Sequence, residues 1–517
     1  MTAWRADRAV LGLAFAVVFA LGAALRADRL GLEELTTDEA FSWRMTTHPA
    51  ADIVRRTATD VHPPLYYLAL AAWTGATGDS PAALRGLSVL LGLAAVGLAY
   101  LLCVEVDRFA ETVNGRAGRW GAAAAALLVA LHADEVEHSR HVRMYALGIA
   151  LAGLTAWLML RAMRSERRAL GWWAGYALSA AALCYTHYYG AFTVAAQLAF
   201  AGVFLASRVR TSAVRLREAS GLLAAAVLTA ALFAPWLTVL RRQTARVSED
   251  YWIREAGAFD VAGALVRWTT GLEWTPPWPG LTIAAFAGAG AWALWRGDRG
   301  QKFLVLQAAL PWMGALGLSW ASGRTLFLER YLVFSQIALL VLLARAWAGL
   351  APWPRRATAG VFACVVALGL AEEIGTRPTA EPSARDGARL LARSVGPGDL
   401  VLANAPRDLN VVRYYLMREG AAGIEMKCPA SRSIGHLSQV SSITTEEIVG
   451  EASVWSGPWP RVWRVRVHPP RKWRPDPPPA DWALVFTRVF EGPAGTRLLV
   501  TAYQRVTTHR PASAHTP

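Results

Sequence analysis

Eleven apolar segments, each about long enough to cross a lipid bilayer, divide the first 372 or so residues of this chain. A soluble domain of this size would carry about 25% charged residues, whereas this chain of 517 residues carries 18% and is 54% hydrophobic. The sequence therefore predicts a polytopic α-helical membrane protein, with spans at roughly 9–25, 84–103, 120–133, 144–160, 171–185, 191–206, 219–240, 280–295, 303–321, 331–348 and 357–371.

Two apolar segments allow more than one interpretation. The first, at 10–25, follows a basic N terminus and could be a signal peptide. An uncleaved first span is favoured, because the distribution of arginines requires it. The second, at 64–77, is short and begins after Pro63. It is predicted to be an interfacial or re-entrant piece of about 14 residues, below the length of a span.

The net charge of +15 lies mainly in alternate short loops, where Lys and Arg set the orientation of membrane helices. With the N terminus inside, every predicted inner loop is basic. Counting 64–77 as a span would put the most basic loops outside. The charge therefore reports topology, and no nucleic-acid partner is expected. The outer face then receives 26–83, 134–143, 186–190, 241–279, 322–330 and everything after about 372.

The composition changes after residue 372, which predicts a second domain. We expect a transmembrane domain at 1–372 that includes the first outer loop at 26–83, a small extracytoplasmic α/β domain at 380–505, and a disordered tail at 506–517. Within the second domain, the pattern predicts strands at 399–403, 482–486 and 497–503 and a helix at 408–419.

The segment 455–474 mixes four tryptophans with six basic residues. It is predicted to be an edge strand followed by a proline-rich turn. The alternative is a docking surface for a sugar-containing acceptor, with indole rings stacked on sugar faces. The cysteines indicate neither a disulfide framework nor a zinc site, because three lie in or beside spans and one stands alone: Cys103, Cys184, Cys364 and Cys428.

Two adjacent carboxylates, Asp38 and Glu39, lie about a dozen residues beyond the first span, and Asp60 and His62 lie later in the same loop. Asp38 could simply cap a short interfacial helix, with Glu39 in its first turn. However, the unusual polar residues all fall on the face that lies opposite the basic loops. This one-sided distribution predicts an extracytoplasmic active site.

Short motifs follow one another in these outer loops: Asp38-Glu39-Ala40-Phe41-Ser42, Asp60-Val61-His62-Pro63-Pro64-Leu65-Tyr66-Tyr67, Arg85-Gly86-Leu87-Ser88, Arg143-Met144-Tyr145-Ala146-Leu147, Tyr185-Thr186-His187-Tyr188-Tyr189-Gly190 and Glu329-Arg330-Tyr331. In this order they resemble glycosyltransferase family 39 and its bacterial relatives, which include protein O-mannosyltransferases and the enzyme that adds aminoarabinose to lipid A. The resemblance covers about residues 5–350.

The resemblance implies a C-superfamily membrane glycosyltransferase. Such an enzyme moves a single mannose- or arabinose-like sugar from a polyprenyl phosphate to an acceptor hydroxyl on a protein, lipid or glycan. It also implies that a carboxylate of the first outer loop is the base and that basic residues hold the lipid phosphate. The candidate catalytic residues are Asp38, Glu39 and Asp60, and the candidate substrate-binding residues are His62, Arg143, Tyr145, His187, Tyr188, Arg330 and Tyr331.

The chemistry of these side chains suits the implied roles. A carboxylate at the membrane surface can take the proton of an acceptor hydroxyl, and arginine binds phosphate with two parallel hydrogen bonds. Arg143 and Arg330 could instead be interfacial arginines that extend toward the headgroups. His62 could cap a helix, and His187 could bond to a neighbouring span. Arg140, which stands in the motif before Arg143, could add a second phosphate contact.

No cofactor is expected with certainty, although Glu135, Glu137 and His138 could hold a divalent cation. The expected partners are a polyprenyl-phosphate sugar donor, a glycan, lipid or protein acceptor, and membrane lipids. The expected location is the bacterial plasma membrane, with the active site and C-terminal domain on the periplasmic side. The alternative function is a transporter or flippase of lipid-linked glycans. Such a protein would show repeated halves or broken, charged spans, and neither is evident.

Overall fold

The computed structural model describes residues 2–112, 115–165, 168–207, 213–249, 253–377, 383–429, 438–467, 469, 477–492 and 497–506. The chain forms two compact units. The first contains Met1–Leu30 and Ile53–Thr376, and the second contains Gly31–Asp52 and Arg377–Pro517. The second unit therefore includes part of the loop after the first span, a grouping that the sequence does not predict.

Helices follow one another in the first three quarters of the chain. In order they are α1 (Thr2–Ala27), α2 (Thr37–Thr46), α3 (Ala50–Ala58), α4 (Leu65–Thr77), α5 (Pro81–Ala110), α6 (Gly115–Leu131), α7 (Ala133–Arg140), α8 (Tyr145–Arg164), α9 (Ala169–Thr186), α10 (Gly190–Ala206), α11 (Ala213–Glu249), α12 (Ala258–Thr270), α13 (Pro279–Arg296), α14 (Arg299–Ser322), α15 (Glu329–Leu332), α16 (Gln336–Ala348) and α17 (Pro352–Gly375). A 3-10 turn, Val333–Ser335, joins α15 to α16.

Six helical stretches of the described chain are long and apolar enough to cross a membrane: Pro81–Ala110, Tyr145–Arg164, Ala219–Val247, Arg299–Ser322, Glu329–Ala348 and Pro352–Gly375. Shorter apolar helices accompany them at Gly12–Ala27, Gly118–Leu131 and Gly190–Ala206. Each predicted span lies on one of these stretches or on α9 or α13. The predicted polytopic helical membrane fold is confirmed. The segment 64–77 forms α4, whose 13 residues extend only about 20 Å.

Local sequence explains where several of these helices begin. Ser80 accepts a hydrogen bond from the amide of Ala83 and is followed by Pro81, whose fixed φ suits a first turn. Asp298 and Gln301 form a reciprocal capping box at the start of α14. These caps satisfy amides that have no partner within the helix, so each span starts at a defined residue.

Helix α8 packs closely against α5, α9 and the 3-10 turn after α15. Gly148 allows this approach, because a methyl group at that position would overlap the ring of Phe334. Farther along the same helix, a methyl group on Gly153 would lie 2.8 Å from Cδ1 of Ile337. Small residues at helix contacts are typical of membrane bundles, where close van der Waals packing drives association.

Buried acids meet arginines at one end of the first unit, which we call the arginine end. Glu105 is 1% exposed, and its carboxylate lies 2.5 Å from Arg164 and 3.7 Å from Arg161. Arg345 pairs with Asp107 and, at 2.9 Å, with Asp298. These residues come from loops that the sequence assigns to one face. Their convergence shows that the ends of α5, α8 and α16 and the start of α14 lie together.

The second unit contains a six-stranded sheet. Its strands are β1 (Leu400–Ala403), β2 (Met426–Pro429), β3 (Ile448–Val449), β4 (Arg461–Val467), β5 (Trp482–Glu491) and β6 (Arg497–Arg505), in the order β3-β2-β1-β4-β6-β5. The first four strands of that order are parallel, and β6 pairs antiparallel with β4 and β5. Helices α18 (Ser383–Ser394), α19 (Pro406–Arg418) and α20 (Glu451–Ser456) accompany the sheet.

Helix α2 belongs to this second unit and packs on α19. The ring of Trp43 meets the ring of Tyr414 edge to face, with their centroids 5.0 Å apart. The amide of Leu35 donates a 2.9 Å hydrogen bond to the hydroxyl of Tyr415. Phe41, Trp43 and Met45 are all buried. The part of the first loop at Gly31–Asp52 thus contributes buried apolar side chains to the C-terminal unit.

The predicted helix and strands of the C-terminal domain are present, but the prediction of an edge strand within 455–474 is wrong. Strand β4 is central, because it pairs with β1 on one side and β6 on the other. Trp459 and Trp463 are buried in this unit, and Trp455 packs against Trp482 and Tyr503. These indoles build the core and do not form a docking surface. The remaining tryptophan of the segment, Trp473, and the predicted tail after Val506 lie outside the described residues.

Replacing Gly148 with alanine tests the helix packing. We expect Gly148→Ala to lower the free energy of unfolding by about 1–3 kcal/mol, because the added methyl group overpacks the contact with Phe334. Gly97→Ala in α5 is the matched control, since nothing lies within 4 Å of a methyl group there. That change should be neutral or stabilise by about 0.5–1 kcal/mol. Thermal unfolding of both variants in detergent measures the difference, and equal unfolding temperatures would contradict the packing.

Candidate active site

Three aromatic rings meet at the end of the first unit that carries the motif loops. We call His62, His187 and Tyr331 the ring cluster. The ring centroids of His187 and Tyr331 are 4.6 Å apart, and those of His62 and His187 are 5.6 Å apart. His62 also lies 6.3 Å from Tyr331. The structure therefore brings together residues from three separate motifs that are distant in sequence.

Asp60 and His62 lie in the turn between α3 and α4. Both are almost completely buried, and His62 Nδ1 is 3.5 Å from Asp60 Oδ2. A carboxylate beside one ring nitrogen orients the imidazole and favours a proton on that nitrogen. Asp60 therefore joins the ring cluster through His62.

His187 is held as a neutral imidazole. Burial lowers its pKa well below the ordinary value, and the nearby His62, Arg143 and Arg330 lower it further. His187 Nδ1 accepts a 3.2 Å hydrogen bond from the amide of Tyr189. This bond places the proton on Nε2, so the ring can donate a hydrogen bond from that nitrogen.

Two predicted phosphate-binding residues, Arg143 and Arg330, are close enough to the ring cluster to influence His187. Arg143 lies in the turn between α7 and α8 and is buried. Arg330 is exposed, and its guanidinium carbon lies 5.6 Å from the centroid of Tyr331. One arginine is thus buried and the other exposed, and the charges of both act on the same imidazole.

Tyr188 braces the turn that carries Asp60. Its hydroxyl donates to the side-chain oxygen of Gln243 and accepts a 2.9 Å hydrogen bond from Trp236 Nε1. Burial raises the pKa of Tyr188 to about 12, and the Asp60 charge adds to this effect, so the hydroxyl keeps its proton. Gln243 Nε2 in turn donates a 2.8 Å bond to the carbonyl of Thr57.

The sequence alone does not single out Gln243 or Trp236. Both belong to α11, and Arg246 of the same helix donates a 2.5 Å bond to the carbonyl of Thr59. Two side chains at the end of α11 therefore hold the turn at 57–62, each by a hydrogen bond to a backbone carbonyl. Gln243 is 3% exposed. A polar amide side chain near the end of a long apolar helix is the sequence signal that points to such a residue.

The ring of Tyr145 packs against His138, which is not part of the ring cluster. Tyr145 begins α8, is buried, and its ring lies 5.0 Å from the ring of His138 in α7. Arg140 is likewise engaged: it is 2% exposed and donates to the carbonyls of Leu25, Arg26 and Asp28 at the end of α1. These bonds do not support the second phosphate contact predicted for Arg140, because they use its guanidinium to fix backbone.

Arg267 of α12 lies close to four acids, one of which, Glu329, is two residues before Tyr331 of the ring cluster. It pairs with Asp134 and with Glu137 and Glu273, the latter two at 2.6 Å, and approaches Glu329 at 3.9 Å. Although burial lowers the pKa of Arg267, these carboxylates raise it above its ordinary value overall. The guanidinium is therefore permanently charged.

The divalent-cation site considered for Glu135, Glu137 and His138 does not form. Glu137 is paired with Arg267, whereas Glu135 is fully buried elsewhere, and burial raises its pKa to about 8. Within the described ranges, no group of three or more His, Cys, Asp or Glu side chains could hold a metal ion. The i, i+2 spacing explains this result, because it sends the two glutamates to different sides of α7.

The adjacent acids Asp38 and Glu39 lie in the second unit. Glu39 is the third residue of a capping box: its carboxylate accepts a 3.0 Å bond from the amide of Thr36, whose hydroxyl accepts from the amide of Glu39. Glu39 is fully buried in this arrangement. Asp38 is only half-buried, and its Oδ1 accepts a 3.2 Å bond from Gln439. Thr36, and not Asp38, is therefore the N-cap, and the two carboxylates have different environments.

No family model matches this chain, and no curated protein matches it. Among solved structures, two crystal structures of ArnT from Cupriavidus metallidurans are similar over nearly its whole length. The structure in the apo state is 14% identical, covers 96% of this chain and 98% of ArnT, and has a TM-score of 0.61. The structure bound to undecaprenyl phosphate is 12% identical, covers 94% and 97%, and has a TM-score of 0.60.

At this level of identity the similarity establishes the fold alone. The chain therefore has the fold of ArnT, as its resemblance to the bacterial relatives of glycosyltransferase family 39 implied. The match extends over 96% of this chain and so includes residues of both units.

A substitution at Gln243 tests the brace on the Asp60 turn. Gln243→Leu leaves the Thr57 carbonyl and the Tyr188 hydroxyl short of one buried partner each, which should lower the free energy of unfolding by about 1–3 kcal/mol. Hydrogen–deuterium exchange at residues 57–62 should also become faster. Thr244→Ala, at the next and exposed position, is the control. Exchange at 57–62 that is the same in both variants would show that α11 does not hold this turn.

Proposed function

We propose that this protein transfers a single sugar from a polyprenyl phosphate to an acceptor hydroxyl at the outer face of the plasma membrane. The observation that carries the proposal is the ring cluster of His62, His187 and Tyr331 with Arg143 and Arg330 beside it. Two guanidiniums and a neutral imidazole that can donate a hydrogen bond suit a phosphate monoanion or diester. ArnT, which shares this fold, has been crystallised bound to undecaprenyl phosphate, which supports a polyprenyl phosphate as the lipid part of the donor.

The location of the cluster fits a donor whose phosphate lies at the membrane surface. Helix α8 has Arg143 just before its first residue and Arg161 and Arg164 in its last turn. Its 20 residues separate the two ends by about 30 Å, the thickness of the hydrocarbon core. The ring cluster and the arginine end thus lie at opposite surfaces. Because the arginine end collects the basic loops, we assign it to the cytoplasm and the ring cluster to the outside.

In the proposed reaction, the acceptor oxygen attacks the anomeric carbon while the bond to the lipid phosphate breaks. Arg143 and Arg330 stabilise the negative charge that develops on the departing phosphate. A carboxylate takes the proton of the acceptor hydroxyl. We assign that role to Asp38, as the resemblance implies, and give Glu39 a structural role in its capping box. Asp60 is the competing candidate, and its contact with His62 favours a role in orienting that imidazole.

Donor binding tests the arginines. Arg143→Lys and Arg330→Lys keep the charge but lose the planar fork, so undecaprenyl phosphate should bind more weakly. Loss of one charge-assisted contact is worth about 1.5–3 kcal/mol, or roughly ten- to hundredfold in affinity. Arg324→Ala, an exposed arginine in the preceding turn, serves as the control and should bind normally. Unchanged affinity in both Arg143→Ala and Arg330→Ala would rule out the phosphate site.

Turnover separates the two aspartates. Asp38→Asn keeps the size of the side chain and removes its basicity, so turnover should fall by a factor of about 10²–10⁴ while undecaprenyl phosphate still binds. Asp60→Asn should weaken donor binding through His62 and reduce turnover less. Measuring both quantities in the same preparations distinguishes the assignments. Near-normal turnover of Asp38→Asn would transfer the role of base to Asp60.

A further inference from the structure

A cavity of about 610 Å³ lies beside the ring cluster, in the first unit, and no role has been assigned to it. Its walls come from the segment before α12, from α12 itself, from residues 273–275 and from residues 327–329. Cavities of about 300–1,000 Å³ are typical of small-ligand sites. The volume is sufficient for one or two sugar rings.

Three aromatic side chains, those of Phe259, Trp274 and Phe327, line this cavity. Phe259 and Trp274 line it and are more than half exposed, so their faces are open to a ligand. Phe327 is buried and rests on Trp312, with ring centroids 5.3 Å apart, and Trp312 rests on Trp268 at 4.6 Å. Phe327 is thus packed into a row of aromatic rings, while the exposed rings of Phe259 and Trp274 offer flat apolar faces that suit the C–H face of a sugar.

The side chains that line the cavity include more acidic than basic groups. Four acidic side chains line the cavity, those of Glu255, Asp260, Glu273 and Glu329, against two guanidiniums, those of Arg254 and Arg267. Burial raises the pKa of Glu329 to about 7, so this acid is only partly charged at neutral pH, but the other three still outnumber the guanidiniums. Both guanidiniums already have partners. Arg254 pairs with Asp260 at 2.6 Å, and Arg267 pairs with Glu273 at 2.6 Å.

An anionic ligand would therefore meet a net negative surface in which both arginines are engaged. The pKa of Asp260 is lowered by the amide of Gly257 and by Arg254, so this carboxylate stays charged. Like charges at short range disfavour binding. Carboxylate oxygens, by contrast, accept hydrogen bonds from sugar hydroxyls. The lining thus selects against phosphorylated or acidic sugars and in favour of uncharged ones.

The position of the cavity relates it to the donor site. Glu329 belongs to its wall, and the next two residues, Arg330 and Tyr331, belong to the phosphate candidates and the ring cluster. The hydroxyl of Tyr189 donates a 2.5 Å hydrogen bond to the carbonyl of Leu326, which ties this wall to the loop that carries His187. A ligand in the cavity would lie one residue away from the arginine that is proposed to hold the donor phosphate.

We infer that this cavity is the acceptor site and that the acceptor presents a sugar without phosphate or carboxylate groups. The inference rests on the proposed function and adds the chemical class of the acceptor. Trp274 and Phe259 position the sugar ring by stacking, and the carboxylates bind its hydroxyls. The selectivity against anionic sugars comes from the excess of acidic side chains over guanidiniums, both of which are already paired.

Ligand-detected NMR on the full-length protein in detergent tests this inference. The probes are mannotriose and arabinotriose as uncharged sugars and mannose 6-phosphate as the anionic one. We expect the uncharged oligosaccharides to bind and mannose 6-phosphate to bind at least tenfold more weakly. Trp274→Ala should weaken oligosaccharide binding about two- to tenfold, the range for loss of one aromatic contact. Trp278→Ala, a more exposed indole outside the cavity, is the matched control and should bind as the wild type does.

A charge reversal provides the second arm. Glu255 is exposed at the cavity, so Glu255→Lys should leave the thermal unfolding temperature unchanged and increase the binding of mannose 6-phosphate. Equal or tighter binding of mannose 6-phosphate by the wild type would overturn the inference. Equal effects of Trp274→Ala and Trp278→Ala would also overturn it, as would no binding of either oligosaccharide at tens of millimolar.

Undecaprenyl phosphate binding, measured in the same samples, separates this inference from the proposed function. All cavity variants should bind that lipid normally, because their side chains lie outside the phosphate candidates. A wild-type protein that binds the oligosaccharides but not undecaprenyl phosphate would reject the proposed donor and leave the cavity as a sugar site. The opposite result, lipid binding without oligosaccharide binding, would reject the acceptor site alone.

Discussion

The guanidinium of Arg267 is the contact on which the loops around the candidate site depend. It pairs with acids from α7, from residue 273 and, at longer range, from the start of α15. Removing a largely buried charge from water is costly unless partners surround it. This cost makes the positions of the partner segments interdependent. Arg143 follows α7, and Arg330 follows Glu329. The ion pairs of Arg267 therefore limit where both proposed phosphate-binding residues can lie.

The same two arginines connect the electrostatics of the site to its proposed chemistry. Together with burial and His62, their charge keeps His187 neutral. An anion held between them would oppose this effect and raise the pKa of the imidazole. The proposed donor would thus strengthen the hydrogen bond from His187 to its own phosphate as it binds. In the neighbouring cavity, Arg254 and Arg267 are already paired with carboxylates. The proposed donor site therefore favours an anionic group, whereas the cavity favours an uncharged one.

Much of this molecule could be predicted from local sequence, because the length of an apolar run and the position of basic loops determine the spans. The loops that hold Asp60, His187 and Arg330 were identified in the same way. Two features could not be predicted locally. The central position of β4 depends on pairing with strands distant in sequence, and the brace by Gln243 depends on which helix end reaches the Thr57 carbonyl. The role of Glu39 was available from the Thr36-x-x-Glu39 pattern, although its neighbour Asp38 directed attention to catalysis.

The membership of α2 in the C-terminal unit has a consequence for biosynthesis. Leu35 and its partner Tyr415 are 380 positions apart, and ribosomes add about 5–20 residues per second. The helix that carries Phe41, Trp43 and Met45 therefore waits roughly 20–80 s before its core exists. During that time the helices of the first unit are synthesised while three apolar side chains of α2 lack the surface against which they pack. Truncation of the last 140 or so residues would remove that surface, so these side chains would stay exposed after synthesis ends.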